Sequence, residues 1–173
     1  MAKPSALSRS GGGGDDQIAT VESEDFHALF VAAKDADATL YKGLRKAMRE
    51  AGAPIVADVR AEIDKIPSSG KHRTGIRTAL KAGTRVAIST SAKSAGIRIV
   101  TSPSKLPPNK RGLAKAMNRE RFRHPVFGRP GQYAEQAGRP YFGAAIDRHR
   151  AEVRDRIEQV MVDTAAEIER RVQ

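Results

Sequence analysis

The sequence contains no cysteine and no tryptophan. The first absence excludes a disulfide framework, a thiolate metal site and a cysteine nucleophile. Aromatic residues make up only 5% of the 173 positions and hydrophobic residues 39%. These shares predict one modest core built from Ala, Ile, Val and Leu. No apolar run approaches the roughly 20 residues that a membrane-spanning helix needs, so no membrane partner is expected. The opening residues MAKPSALSRSGGGG carry a lysine but no apolar stretch; they do not read as a secretory signal and point to a cytosolic origin.

Acidic residues are missing from one long region. Between Lys65 and Arg119 there are thirteen Lys and Arg and no Asp or Glu, within a chain of net charge +11. The flanks are close to balanced, so this middle stretch holds the excess. A surface of one sign is an electrostatic footprint for a polyanion or for an acidic protein face.

What is present reads as an α+β chain. Residues 1–17 form a Gly-rich tail, with Gly11 to Gly14 unable to pack, expected to be flexible or ordered only against a partner. Residues 18–173 form a single domain. Ile18 to Val21 suits a short strand. Ser23 is placed to cap a helix whose apolar stripe runs through Phe26, Leu29, Phe30, Leu40, Leu44 and Met48 at intervals of three and four. Pro54 predicts a kink or a fresh start, after which Ile55, Val59, Ile63 and Ile66 restore the stripe until Pro67 to Gly70 ends it. Lys71 to Gly75 reads as a polar loop and Gly75 to Lys81 as a brief helix. Thr84 to Thr90 and Gly96 to Thr101 alternate as two strands of a hairpin.

Ser102 to Arg111 reads as a Pro-, Ser- and Lys-rich loop, and Leu113 to Asn118 as a helical turn. Arg121 to Phe127 suits a third strand, with Pro125 arguing for an edge position. Gly128 to Gly138 then reads as a loop. Pro140 opens the last helix, whose stripe is Phe142, Ile146, His149, Val153, Ile157, Val160, Thr164 and Ile168. The expectation is therefore two long helices, the first kinked near Pro54, packed on a small and mostly antiparallel sheet.

Catalytic constellations are missing. None of His27, His72, His124 and His149 stands in a ligand-spaced pair, and His72 lies between Lys71 and Arg73, which would oppose a metal. His149 falls on an apolar stripe, and His27 reads as exposed. No acid pair suits general acid–base work, no Gly-x-Ser-x-Gly elbow occurs, and the glycine run lacks the Lys-Ser/Thr of a phosphate loop. No enzyme, metal or cofactor is expected. Nucleic-acid modules are missing too, although Phe122 and Phe127 interleaved with Arg121, Arg123 and Arg129 could stack bases.

One run carries a resemblance. His124-Pro125-Val126-Phe127-Gly128 is followed by Gln136 and by the helix start Arg139-Pro140-Tyr141-Phe142, with Ala53-Pro54-Ile55 upstream. This order resembles the tail-completion or head–tail joining proteins of long-tailed bacteriophages, over about Phe26 to Val172. The aromatic expected shortly before the Gln is often Trp in that family and is Tyr133 here. The resemblance implies a structural virion protein of the neck, made in the host cytoplasm. It would form a homo-oligomeric ring, a hexamer in expectation, beside a stopper, a tail terminator and the tail tube. Packaged DNA would pass through the joint. Lys105, Lys110, Arg111, Arg121, Arg123, His124, Phe127 and Arg129 are the candidates for a subunit-interface or DNA-facing surface. The alternative is a basic nucleic-acid-binding protein without enzymatic activity.

Overall fold

Residues 8–10, 17–22, 24–66, 75–126 and 128–172 are described in a computed structural model. The expected cap at Ser23, the loop around His72 and the ring of Phe127 lie outside the described residues.

Two helices form the spine. One is α2, Ala38–Asp64, preceded by α1, Glu24–Ala36. The other is the last element, α5, Tyr141–Val172, whose 32 residues span about 48 Å at ~1.5 Å per residue. They run antiparallel: Arg148 near the start of α5 meets Asp58 and Glu62 late in α2, while Arg171 near its end lies 3.7 Å from Asp37. Leu44, Met48, Ile55, Val59 and Ile63 from α2 interdigitate in one core with Phe142, Ile146, Val153 and Ile157 from α5. Each fully buried side chain of this kind contributes about 1.5–3 kcal/mol relative to an exposed one.

The helical break falls at Asp37, not at Pro54. Asp37 is extended (φ −167°, ψ 135°), and its Oδ1 accepts the backbone N–H groups of Leu40, at 2.9 Å, and Thr39. Those donors open α2 and have no partner within the helix, so the carboxylate satisfies them and restarts the chain. Pro54 sits inside α2. It forfeits the bond to the Glu50 carbonyl, but the buried residues on both sides of it, Ala51, Ile55 and Val56, bind the helix to the core through the interruption.

The expected hairpin is present as β3, Thr84–Ser89, and β4, Gly96–Thr101, following the short helix α3, Ile76–Gly83. The strand expected at Ile18 to Val21 is β2, Gln17–Glu22; it pairs antiparallel with β4. Ser8–Ser10 forms β1 and pairs with β2, so the sheet order is β1-β2-β4-β3. Its inner face lies on α2, where a Cβ on Gly52 would come 2.9 Å from Val86 Cγ2. That glycine lets helix and sheet approach closely. Arg60 fastens the same junction, donating to the carbonyls of Thr84, at 2.8 Å, and Lys81, at 3.2 Å. His27 is half-buried rather than exposed: its Nδ1 lies 3.0 Å from the Thr90 carbonyl, tying α1 to the end of β3.

Two loop expectations are corrected. Ser102 to Arg111 folds into two single 3₁₀ turns, Pro103–Lys105 and Pro108–Lys110, before α4, Arg111–Met117. A proline opens each turn, where its missing N–H costs nothing. Second, Gly128 to Gly138 is not all loop. Tyr133–Ala137 is a strand, β6, and it pairs antiparallel with β5, Arg121–Pro125. The third strand of the expectation therefore belongs to a separate two-stranded sheet.

Candidate functional site

The β5–β6 hairpin is an arm. It packs against α4 rather than joining the main sheet. Its base is stitched by backbone: Gly138 N–H donates to Glu120 O at 2.8 Å and Arg139 N–H to Met117 O at 2.7 Å. Asn118, just after α4, accepts the Phe142 N–H on its Oδ1 at 2.9 Å and so caps the first turn of α5. Buried Tyr141 reaches the Ala114 carbonyl at 3.3 Å. At the tip, Val126 N–H donates to Gln132 O at 2.9 Å, and Gly128 and Gly131 take positive φ of 75° and 80°, where a side chain would be strained.

Register decides which side chains share a face. Residues paired across an antiparallel ladder point the same way. Arg121, Arg123 and Pro125 therefore share a face with Ala137, Glu135 and Tyr133, and all six are exposed. The opposite face carries Phe122, buried, and His124, half-buried, with ring centroids 6.2 Å apart. Phe122 thus anchors the arm, as expected of a strand whose cations face outward.

The outward face is cationic with one aromatic. Arg123 Cζ stands 5.5 Å from the centre of the Tyr133 ring. Arg121 Nη1 lies 3.5 Å from Glu135 Oε1, an exposed pair that contributes little to stability. His124 Nδ1 is 3.2 Å from the Pro125 carbonyl, and Arg129 is exposed in the turn. Lys105 and Lys110 end the two 3₁₀ turns, and Arg111 opens α4; all three are exposed, as are Lys115 and Arg119. From Lys105 to Ala137 only Glu120 and Glu135 oppose eight cations. The structure therefore gathers the sequence candidates on α4, the turns before it and the arm. Phe127 lies outside the described residues.

Two features escaped the sequence reading. One is the place of Tyr133 on the cationic face, opposite Pro125 in the β6 pairing; Tyr133-Ala134-Glu135-Gln136-Ala137 has no apolar–polar alternation that could have signalled it. The other is a clamp between the long helices. Arg148 donates to Asp58 Oδ2 at 2.9 Å and Glu62 Oε1 at 2.7 Å, and His149 Nε2 lies 3.3 Å from Asp58. The Arg148 guanidinium holds the Asp58 carboxyl below its ordinary range against partial burial. Lys65 first, and Arg148 with it, do the same for Glu62. These groups are structural ion pairs at a helix seam. Among the described residues, no group of three or more His, Asp or Glu could hold a metal ion, and no helix is long and apolar enough to cross a membrane.

No family model, curated protein or solved structure gives a significant match to this chain.

Proposed function

We propose that this chain is a structural protein of a bacteriophage neck, one subunit of a ring that completes the tail end and joins it to the head. The observation that carries the reading is the arm. An exposed, cation-rich surface, whose cations make one ion pair among the described residues, Arg121 with Glu135, is fixed by backbone bonds to the helical body. That is the construction of a part whose work is contact with neighbours. The run that resembles the neck family, His124 to Gly128, falls on the second half of β5 and the turn of this arm. The ring would stand between a stopper or terminator and the tail tube, with DNA passing through it.

Two measurements test this. Purified protein on size exclusion with light scattering is expected to give a ring or a ring-competent oligomer. Charge reversal of Arg121, Arg123 and Arg129 together is expected to stop particle joining in a complementation assay while the monomer stays folded. Normal yields of infectious particles would sink the interface assignment.

The Arg123–Tyr133 pair favours a second reading, a non-specific nucleic-acid binder, because exposed aromatics beside Arg can stack bases. A steep loss of duplex-DNA affinity with rising salt, by a chain that stays monomeric, would favour that reading.

A further inference from the structure

Among the described residues, three large hydrophobic side chains are exposed: Val31, Tyr133 and Val162. Tyr133, 58% exposed, lies among the cations of the arm. Val162, 49% exposed, lies on α5 in surroundings of the opposite sign. From Ile157 to Glu169 that helix has four acidic residues and no Lys or Arg. Asp155, Glu158, Val162 and Glu169 follow one another at intervals of three, four and seven, which places them on one face. Asp155 pairs only with its neighbour Arg154, at 3.5 Å, and Glu158 and Glu169 have no cation partner among the described residues. This strip lies opposite the stripe of Val153, Ile157 and Thr164 that enters the core.

The two surfaces match. Each is one exposed hydrophobic residue framed by charges, positive on the arm and negative on the strip. They cannot meet within one chain. The arm is stitched to the first turn of α5, and Val162 lies about 30 Å farther along that helix at ~1.5 Å per residue. No ion pair among the described residues joins arm to strip.

We propose that the arm of one subunit docks on the acidic strip of α5 in a second copy of this chain. Tyr133 lies against Val162, and Arg123 and Arg121, both on the same side of Tyr133 along the hairpin, face Glu158 and Asp155 on one side of Val162. The contact is heterologous, because a patch meets a different patch, so it propagates from copy to copy and closes into a ring when the rotation allows. The inference rests on the ring reading and names the surfaces that make the ring.

Complementary reversal tests it on the full chain, followed by sedimentation velocity, with circular dichroism confirming the fold. Arg121→Glu with Arg123→Glu, and separately Asp155→Lys with Glu158→Lys, are each expected to raise the concentration for half-assembly by about ten-fold or more, since like charges then face each other. An equimolar mixture of the two variants is expected to assemble in alternation, because each variant's arm then meets a strip of opposite charge on the other. Combining all four substitutions in one chain is expected to restore assembly. Failure of that rescue in a folded chain overturns the proposal. So does normal assembly by the strip variant, including the case in which the arm variant loses only affinity for duplex DNA. A wild-type chain that stays monomeric overturns the ring reading together with this one; a ring that survives every variant overturns the surface assignment alone.

Discussion

Gly138 and Arg119 are in such close contact that a Cβ on the glycine would overlap the Arg119 carbonyl oxygen. This closure joins the end of β6 to the chain entering β5. The obstacle is backbone, which cannot swing aside as a side chain can. Gly138→Ala is expected to destabilise the fold by about 1–3 kcal/mol, the range for overpacked sites. Limited proteolysis should cut first in the arm. Thermal unfolding and a digestion time course check both points, and an unchanged variant would refute the closure.

A second closure of the same kind stands at Gly83, where a Cβ would overlap the Ser102 carbonyl oxygen beside the start of β3. Gly83→Ala is expected to lower stability by a similar amount, about 1–3 kcal/mol, without changing arm proteolysis. Comparing the two variants separates damage to the main sheet from damage to the arm.

Ile157 and Ile146 are fully buried in the seam between α2 and α5. Truncation of either to Ala is expected to cost about 2–5 kcal/mol, through lost transfer energy and the cavity left behind. Denaturant titration should register it as a lower midpoint with an unchanged slope. A loss below ~1 kcal/mol would mean that the long helices do not pack along this line.

Acid should weaken the same seam. Asp58 and Glu62 are held below their ordinary pKa values in the folded chain, chiefly by Arg148 and by Lys65 respectively. Asp37 is depressed by the Leu40 and Thr39 N–H groups. For depressed carboxylates the stabilisation is complete above the unfolded pKa and is lost as pH falls through the folded one. Stability is therefore expected to hold near neutrality and to fall below about pH 4, where ordinary carboxylates protonate. Arg148→Ala should flatten that acid limb in a series of unfolding curves. An unaltered limb would show that the clamp does not contribute to it.

Tyr133 is exposed and has no role in the core. Tyr133→Ala is expected to leave stability within about 0.5 kcal/mol of the parent, as for surface changes away from special features. It should weaken self-association, which analytical ultracentrifugation would detect. A large loss of stability would mean that the ring supports the fold rather than a contact.

Periodicity made the long elements legible. The stripe from Phe142 to Ile168 buries Phe142, Ile146, Val153, Ile157 and Thr164, and the second hairpin strand buries Ile97 and Ile99 as its spacing predicts, whereas Val86 and Ile88 of the first are only half-buried. The break at Asp37 was masked because the apolar positions continue at helical spacing across it, although an Asp just before Ala38 is an ordinary cap. Strand β6 was illegible for a different reason. Tyr133-Ala134-Glu135-Gln136-Ala137 has weak strand preference and becomes a strand through its partner. The cations of the candidate site were plain from composition. Which of them share a face with Tyr133 depends on register, and register is a property of two segments together.

The cap of Asn118 on the first turn of α5 gives the molecule a mechanical character. Arm, cap and long helix are joined in series by hydrogen bonds, with no slack linker between them. A pull on the hairpin tip would enter the axis of α5 and spread along the whole seam with α2. The hairpin is a crank rather than a tether, and tension on it is borne by the same packing that keeps the chain folded.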